Sequence, residues 1–223
     1  MSVFWRPRGC VLWFDFAELS GDTVYDLSGN GNNGTIYNCE WRRGHLIGAL
    51  YFNGENAYVE VSHLELQEHT LEVLVYLYDT EGHDYGQCFI CHGDISRDYT
   101  INLIGGGQVE YRLNLDGTLH RLYGSILESK KWYFIVGTYD GSIMNLYVNM
   151  EKYSLEVSGI ISPYYSTEFL GIGAEGQAGG GTAGFTHGLI AHVRIYNRAL
   201  SEREIRAYAN YLLQKYIAHP PFI

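Results

Sequence analysis

Residues 186–209 read THGLIAHVRIYNRALSEREIRAYA and hold two kinds of local order in direct succession. The β-branched and aromatic residues between 189 and 196 favour a pleated surface, and neighbouring side chains of a strand go to opposite faces. Strict alternation puts Leu189, Ala191, Val193 and Ile195 on one face and Ile190, His192, Arg194 and Tyr196 on the other. Ser201 then stands three positions before Glu204, the reciprocal arrangement of a capping box. Ile205, Tyr208, Leu212 and Tyr216 follow at helical spacing. This predicts a strand leading into a helix over 201–216 whose apolar stripe lies against a sheet.

The rest of the chain repeats the strand signal and not the helical one. Strands are predicted at 11–16, 49–53, 58–61, 71–78, 87–92, 99–104, 108–113, 132–139, 143–149, 153–157, 167–172 and 188–196. They are short and separated by turn dipeptides such as Asn53-Gly54, Asp116-Gly117 and Asp140-Gly141. That spacing signals a sandwich and not alternating βαβ units. Twenty tyrosines suit pleated surfaces, 27 glycines supply turns, and a hydrophobic fraction of 46% is ample for one core. At 223 residues the chain reads as one domain, 1–223.

A net charge of −10 argues against a nucleic-acid partner, because phosphate contacts need clustered Lys and Arg, and Lys130-Lys131 is the only basic pair that contains lysine. No stretch approaches the roughly 20 apolar residues of a membrane span. The opening MSVFWRPRGCVLWFDFAEL lacks the build of a secretory signal, since Asp15 interrupts its apolar run. Four cysteines make no disulfide scaffold. Cys10 and Cys39 leave two states open, a bridge or two buried thiols.

Together with VLWFDFAELSGDTVYDLSGNGNNGTIYN at 11–38, the 186–209 stretch resembles the opening and closing signatures of the laminin-G-like, concanavalin A-like jelly-roll family. ALYFNGENAYVEV, TLEVLVYLYD and WYFIVGTYDGSIMNLYVN resemble its inner strand pairs in the same order. The resemblance implies an all-β, two-sheet antiparallel jelly-roll sandwich with one C-terminal α-helix, in which Trp41 and Trp132 are core. Residues 209–223 run past the family pattern as a helical and then extended extension ending in Pro220, Pro221, Phe222 and Ile223. The helix can bury only one stripe, so Tyr211 and Leu213 face away from it.

Several motifs compete for a chemical reading. Cys88-Phe89-Ile90-Cys91-His92 spells the haem c attachment pattern. On a regular strand, however, Cys88 and Cys91 point to opposite faces, and no second Cys or His pair stands at zinc-ligand spacing. The family often binds a structural calcium, which needs several converging oxygens; the positions that match its acidic ligands are Ala17, Ala57 and Ala191 here. Residues 26–34, DLSGNGNNG, read as Asx turns and not as an EF-hand loop. The laminarinase-type glucanases of this fold carry alternating carboxylates on one strand, and retaining hydrolysis needs a pair about 5–5.5 Å apart. Glu72 is followed on its face by Leu74 and Tyr76. No metal, cofactor or catalytic set is expected.

Binding remains. Sugar recognition uses aromatic faces beside amides and carboxylates, which points to two loops: His83, Asp84 and Tyr85, and Tyr164 and Tyr165. The expectation is a non-catalytic recognition module, carbohydrate- or surface-binding by the family resemblance, within a virion or a cell-surface assembly. A structural self-assembling protein, a homo-oligomer joined through its C-terminal extension, is the alternative, and a glycoside hydrolase the third.

Overall fold

The computed structural model describes residues 7–43, 48–80, 86–93, 98–161, 168–176 and 183–217. Within them the chain forms β1 (Cys10–Phe14), β2 (Thr23–Val24), β3 (Gly34–Tyr37), β4 (Glu40–Arg43), β5 (Gly48–Asn53), β6 (Tyr58–Val61), β7 (His69–Leu77) and β8 (Gln87–His92). There follow β9 (Tyr99–Ile104), β10 (Gln108–Leu115), β11 (Thr118–Ile126), β12 (Lys131–Tyr139), β13 (Ile143–Val148), β14 (Glu151–Glu156), β15 (Leu170–Ile172), β16 (His187–Tyr196) and α1 (Glu202–Ile217). Two antiparallel sheets result. One runs β14-β13-β12-β7-β16-β5-β4, with β1 also on β16; the other runs β11-β10-β9-β8-β15-β6-β3-β2. The architecture is the predicted jelly-roll sandwich.

Local chemistry sets the corners. Asp116 and Gly117 both take positive φ, 50° and 80°, the backbone twist that a two-residue hairpin between β10 and β11 requires. The Asp140 carboxylate accepts the backbone N–H groups of Ser142 and Ile143 at 2.9 and 2.8 Å, which folds the β12–β13 connection. In the 26–34 segment Asp26 accepts N–H bonds from Trp13, Ser28 and Asn32, fastening that turn to β1. Its carboxylate is thus consumed by the backbone, as an Asx turn demands.

The inner faces meet in one apolar core. Leu71, Val73, Val75 and Leu77 of β7 and Ile135 of β12 pack against Val59 and Val61 of β6, Tyr99, Ile101 and Leu103 of β9, and Val109, Tyr111 and Leu113 of β10. Tyr111 lies across Gly137, where a Cβ would come within 3.0 Å of its ring, and gives its hydroxyl to His69 at 2.7 Å. Glycine is favoured there by close approach, not by φ, since a Cβ would make the buried ring give by a few tenths of an ångström.

The outer face of the β7–β16–β12 sheet carries a second apolar cluster beneath α1. Ile205, Ala209 and Leu212 are buried on Leu74, Phe134, Val136 and Ala191. Burying a side chain such as Ile205 or Leu212 contributes about 1.5–3 kcal/mol. The capping box forms as predicted: Ser201 N–H donates to Glu204 Oε2 at 2.9 Å, and Glu204 N–H reaches Ser201 Oγ at 3.4 Å. Tyr208 packs partly against the same cluster, whereas Tyr211 is half exposed. The side chains of Leu213 and Tyr216, and all of residues 218–223 with Pro220, Pro221, Phe222 and Ile223, lie outside the described residues.

Strict alternation fails on β16. Ile190 faces Val75 and His192 faces Leu74, so Ala191 is an extra residue, a bulge. Ile190, Val193 and Ile195 enter the inter-sheet core, while Leu189, Ala191 and Tyr196 join the helix-side cluster. The face predicted to hold Leu189, Ala191, Val193 and Ile195 together is therefore split in two.

Candidate binding site

The residues predicted to hold a ligand, His83, Asp84 and Tyr85 in one loop and Tyr164 and Tyr165 in the other, lie outside the described residues. The structure instead shows what flanks the first of these loops. Asp79 and Thr80 lead into it and Gln87 follows it, and around them a half-exposed aromatic and polar cluster assembles.

Neighbouring strands build this cluster. Asn53 of β5 pairs with His187 of β16, and Tyr78 extends β7 by donating its N–H to the His187 carbonyl at 3.0 Å. Gly188 allows that approach, because a Cβ there would sit 2.0 Å from the Tyr76 carbonyl oxygen. Ring centroids of Tyr78 and His187 are 5.4 Å apart and those of Tyr51 and Tyr78 5.5 Å, steeply tilted in both pairs. His187 Nδ1 is held on Asp79 Oδ2 by a short contact, with 32% and 39% of the two side chains exposed. Nδ1 therefore carries the proton, and Nε2 is left as the other ring nitrogen. Buried Gln87 ties the pieces together, accepting the His187 N–H at 2.9 Å and donating to Asp79. Arg42 lies 5.0 Å over the Tyr51 ring. Burial raises the Tyr78 hydroxyl above its ordinary pKa, with Arg42 opposing, so it stays a neutral donor. Aromatic faces, a carboxylate, an imidazole and a guanidinium thus share one accessible patch, able to stack on an apolar ring face and bond hydroxyls around it.

None of Tyr51, Tyr78, Asp79, Gln87 and His187 was singled out by sequence. The available signal was the loop of residues 81–85: Asp79 and Gln87 are its shoulders. Tyr51 and His187 join them only through strand pairing.

The outer face of the other sheet is polar and in part ion-paired. Glu110 forms a short ion pair with Arg112 and lies 3.6 Å from Arg121. Beside them, Cys88 and Cys91 correct an expectation. A bulge between Cys88 and Ile90 turns Phe89 and Ile90 both into the core. The two thiols then share the outer face, close enough that hydrogen bonding to Cys91, then burial, pushes the Cys88 thiol well up. Regular alternation had placed them on opposite faces. A haem still finds no room: a Cβ on Gly184 would lie 2.9 Å from Cys88 Sγ, and Cys91 is bonded to Gly93 and Thr100. His92 is turned to Asp98 at 2.7 Å.

All four cysteines are free, Cys10 on the Leu12 carbonyl and Cys39 on those of Tyr37 and Tyr58. Glu72 is covered by α1 and bound by Arg194 Nε and Nη2, both at 2.7 Å. Ala57 packs in the inter-sheet core, Ala191 under α1, and Ala17 is exposed, so these three positions do not converge. Among the described residues no three His, Cys, Asp or Glu side chains gather as a metal set, and no helix is long and apolar enough to cross a membrane.

Solved structures with this fold include the binding domain of Paraclostridial Mosquitocidal Protein 1, at TM-score 0.71 and 18% identity, covering 92% of this chain and 52% of that one. The binding domain of botulinum neurotoxin DC in complex with SialylT matches at TM-score 0.66 and 15% identity over 92% and 52% of the chains. A botulinum neurotoxin type C structure, described as dependent for cell entry on two ganglioside molecules, matches at TM-score 0.69 and 15% identity over 92% and 51%. The chain thus spans about half the length of these neighbours. No curated protein matches it. A family profile does match, over residues 53–206 and therefore over β6 to the first turn of α1, and by it the chain belongs to the concanavalin A-like lectin/glucanases superfamily.

Proposed function

We propose that the protein is a non-catalytic recognition module whose ligand is a glycan, engaged at the patch of Tyr51, Tyr78, Asp79 and His187. The observation that carries this reading is the half-exposed His187–Asp79 pair set among tilted tyrosine rings. Its neighbours in fold space include binding domains, one of them solved with SialylT, and a structure whose description ties cell entry of botulinum neurotoxin type C to two ganglioside molecules. Glu72, the strand carboxylate from which a hydrolase reading would start, is ion-paired to Arg194.

The test is a glycan array that includes sialylated and ganglioside-type oligosaccharides, followed by calorimetry on each hit. Tyr78→Ala and Tyr51→Ala should each weaken binding by about tenfold, or ~1.4 kcal/mol, and Tyr78→Phe by much less, because stacking needs the ring and not the hydroxyl. An array with no hit at high protein concentration would remove the reading and leave self-assembly through the C-terminal extension ahead. A hit unaffected by both alanine variants would move the site elsewhere.

A further inference from the structure

Where the lead-in to β1, the end of β16 and the first turns of α1 meet, a cleft of about 350 Å³ opens. We propose that this cleft binds a small organic monoanion, a carboxylate carried on a flat apolar body. It is separate from the glycan patch: His187 and the cleft residue Arg194 stand at opposite ends of β16, about 20 Å apart at the strand rise per residue.

The walls select the apolar body. Tyr196 and Tyr208 present ring surface, and Leu200 and Ala207 add aliphatic surface. The volume lies at the lower end of the range for small-molecule sites, which suits one or two fused rings.

The charges select the anion. Arg194 is only 4% exposed, and its guanidinium carbon lies 3.2 Å from the Tyr208 ring centroid. Glu72 fixes it from behind through two 2.7 Å contacts to one carboxylate oxygen. Arg198 is fixed in turn: Glu204 binds it at 2.6 and 3.2 Å, and its Nε–H donates to the Arg8 carbonyl at 3.0 Å. Glu204 also lines the cleft, but Oε1 is spent on Arg198 and Oε2 on Arg198 and Ser201. With Arg194 matched by Glu72 and Arg198 by Glu204, Arg8 is the cation left over. Its side chain is exposed and makes no ion pair among the described residues. Counted over the lining residues and Glu72, one net unit of positive charge thus sits beside apolar walls in a chain of net charge −10, with the Asp15 carboxylate acting on Tyr208 from outside the lining. Two prepositioned guanidiniums lose little side-chain freedom when they contribute bonds to a carboxylate.

Naphthalene-2-carboxylate and its neutral isostere 2-naphthamide, titrated calorimetrically into the full chain, test this directly. The carboxylate should bind about tenfold tighter than the amide or more. Arg8→Ala should remove most of that difference. Ala207→Trp, at an exposed helix position, should fill the cleft and abolish binding while the thermal melt stays unchanged. Equal affinity for the two probes, no heat from either at millimolar concentration, or full carboxylate binding by Ala207→Trp would each overturn the proposal. These readouts do not depend on glycans, so this site and the glycan patch stand or fall separately.

Discussion

His69 stands in the inter-sheet core with both ring nitrogens engaged, Nδ1 on the Gln67 carbonyl and Nε2 on the Tyr111 hydroxyl, each at 2.7 Å. Burial makes the charged ring costly and lowers its pKa to about 4, with the Gln67 carbonyl opposing. An unfolded chain takes up the proton near pH 6.5. Above that pH neither state is protonated and stability is full. As the pH falls from 6.5 towards 4 the unfolded state gains protons first, and stability drops by about 3 kcal/mol in total. Buried His192 shifts in the same direction. Melting temperatures should therefore fall between pH 7 and pH 4.5, and His69→Gln should show a visibly shallower slope. Equal slopes for the two proteins would contradict this account. The sequence offered no sign of His69: its partners are 2 and 42 positions away, and only the folded sheets bring Tyr111 across to it.

At the scale of elements, α1 lies over a buried ion pair whose members are 122 positions apart. Burial raises the pKa of Glu72, and Arg194 counteracts that shift. Desolvating two charges consumes most of what their attraction returns, but removing one alone strands the other. Arg194→Met and Glu72→Leu should each destabilise the protein by about 3–5 kcal/mol, while the double variant recovers most of that loss. Additive single effects in urea melts would rule out the pairing. The helix itself was legible, because capping box and apolar stripe are local signals within α1. The two bulges were not: neither Ala191 nor the Cys88–Ile90 step has an unusual residue to mark it, and a bulge is a relation between two strands. Each reversed the face of several side chains, which is why the Cys88–Cys91 geometry came out inverted. β11 was missed for a related reason. It mixes exposed Thr118, Arg121, Tyr123 and Ile126 without a clean period, and its strand character comes from pairing with β10.

For the whole molecule, the sandwich was readable because turn residues and β-rich runs recur along the chain and most strands announce themselves locally, although β2, β3 and β4 went unmarked with β11. The candidate binding patch was not, since Tyr51, Tyr78, Asp79, Gln87 and His187 come from distant segments that meet only through sheet order. That same order makes a claim about cooperativity. Strands of both sheets contribute to a single inter-sheet core, and β16 joins it to the cluster beneath α1 by facing both ways across its bulge. The helix layer is therefore not a separable module: losing it exposes Leu74, Phe134 and Val136 on strands whose alternate residues hold the core. A chain of 223 residues is long enough for intermediates to be common. This one should nevertheless unfold in urea in a single transition. Trp13 and Trp132 report the helix side and Trp41 packs against the inter-sheet core, so tryptophan fluorescence samples both clusters while far-ultraviolet circular dichroism follows the strands. Coincident midpoints and equal denaturant slopes are expected from the two signals. An earlier fluorescence midpoint would show that the layer under α1 melts on its own, and that β16 does not couple the two clusters.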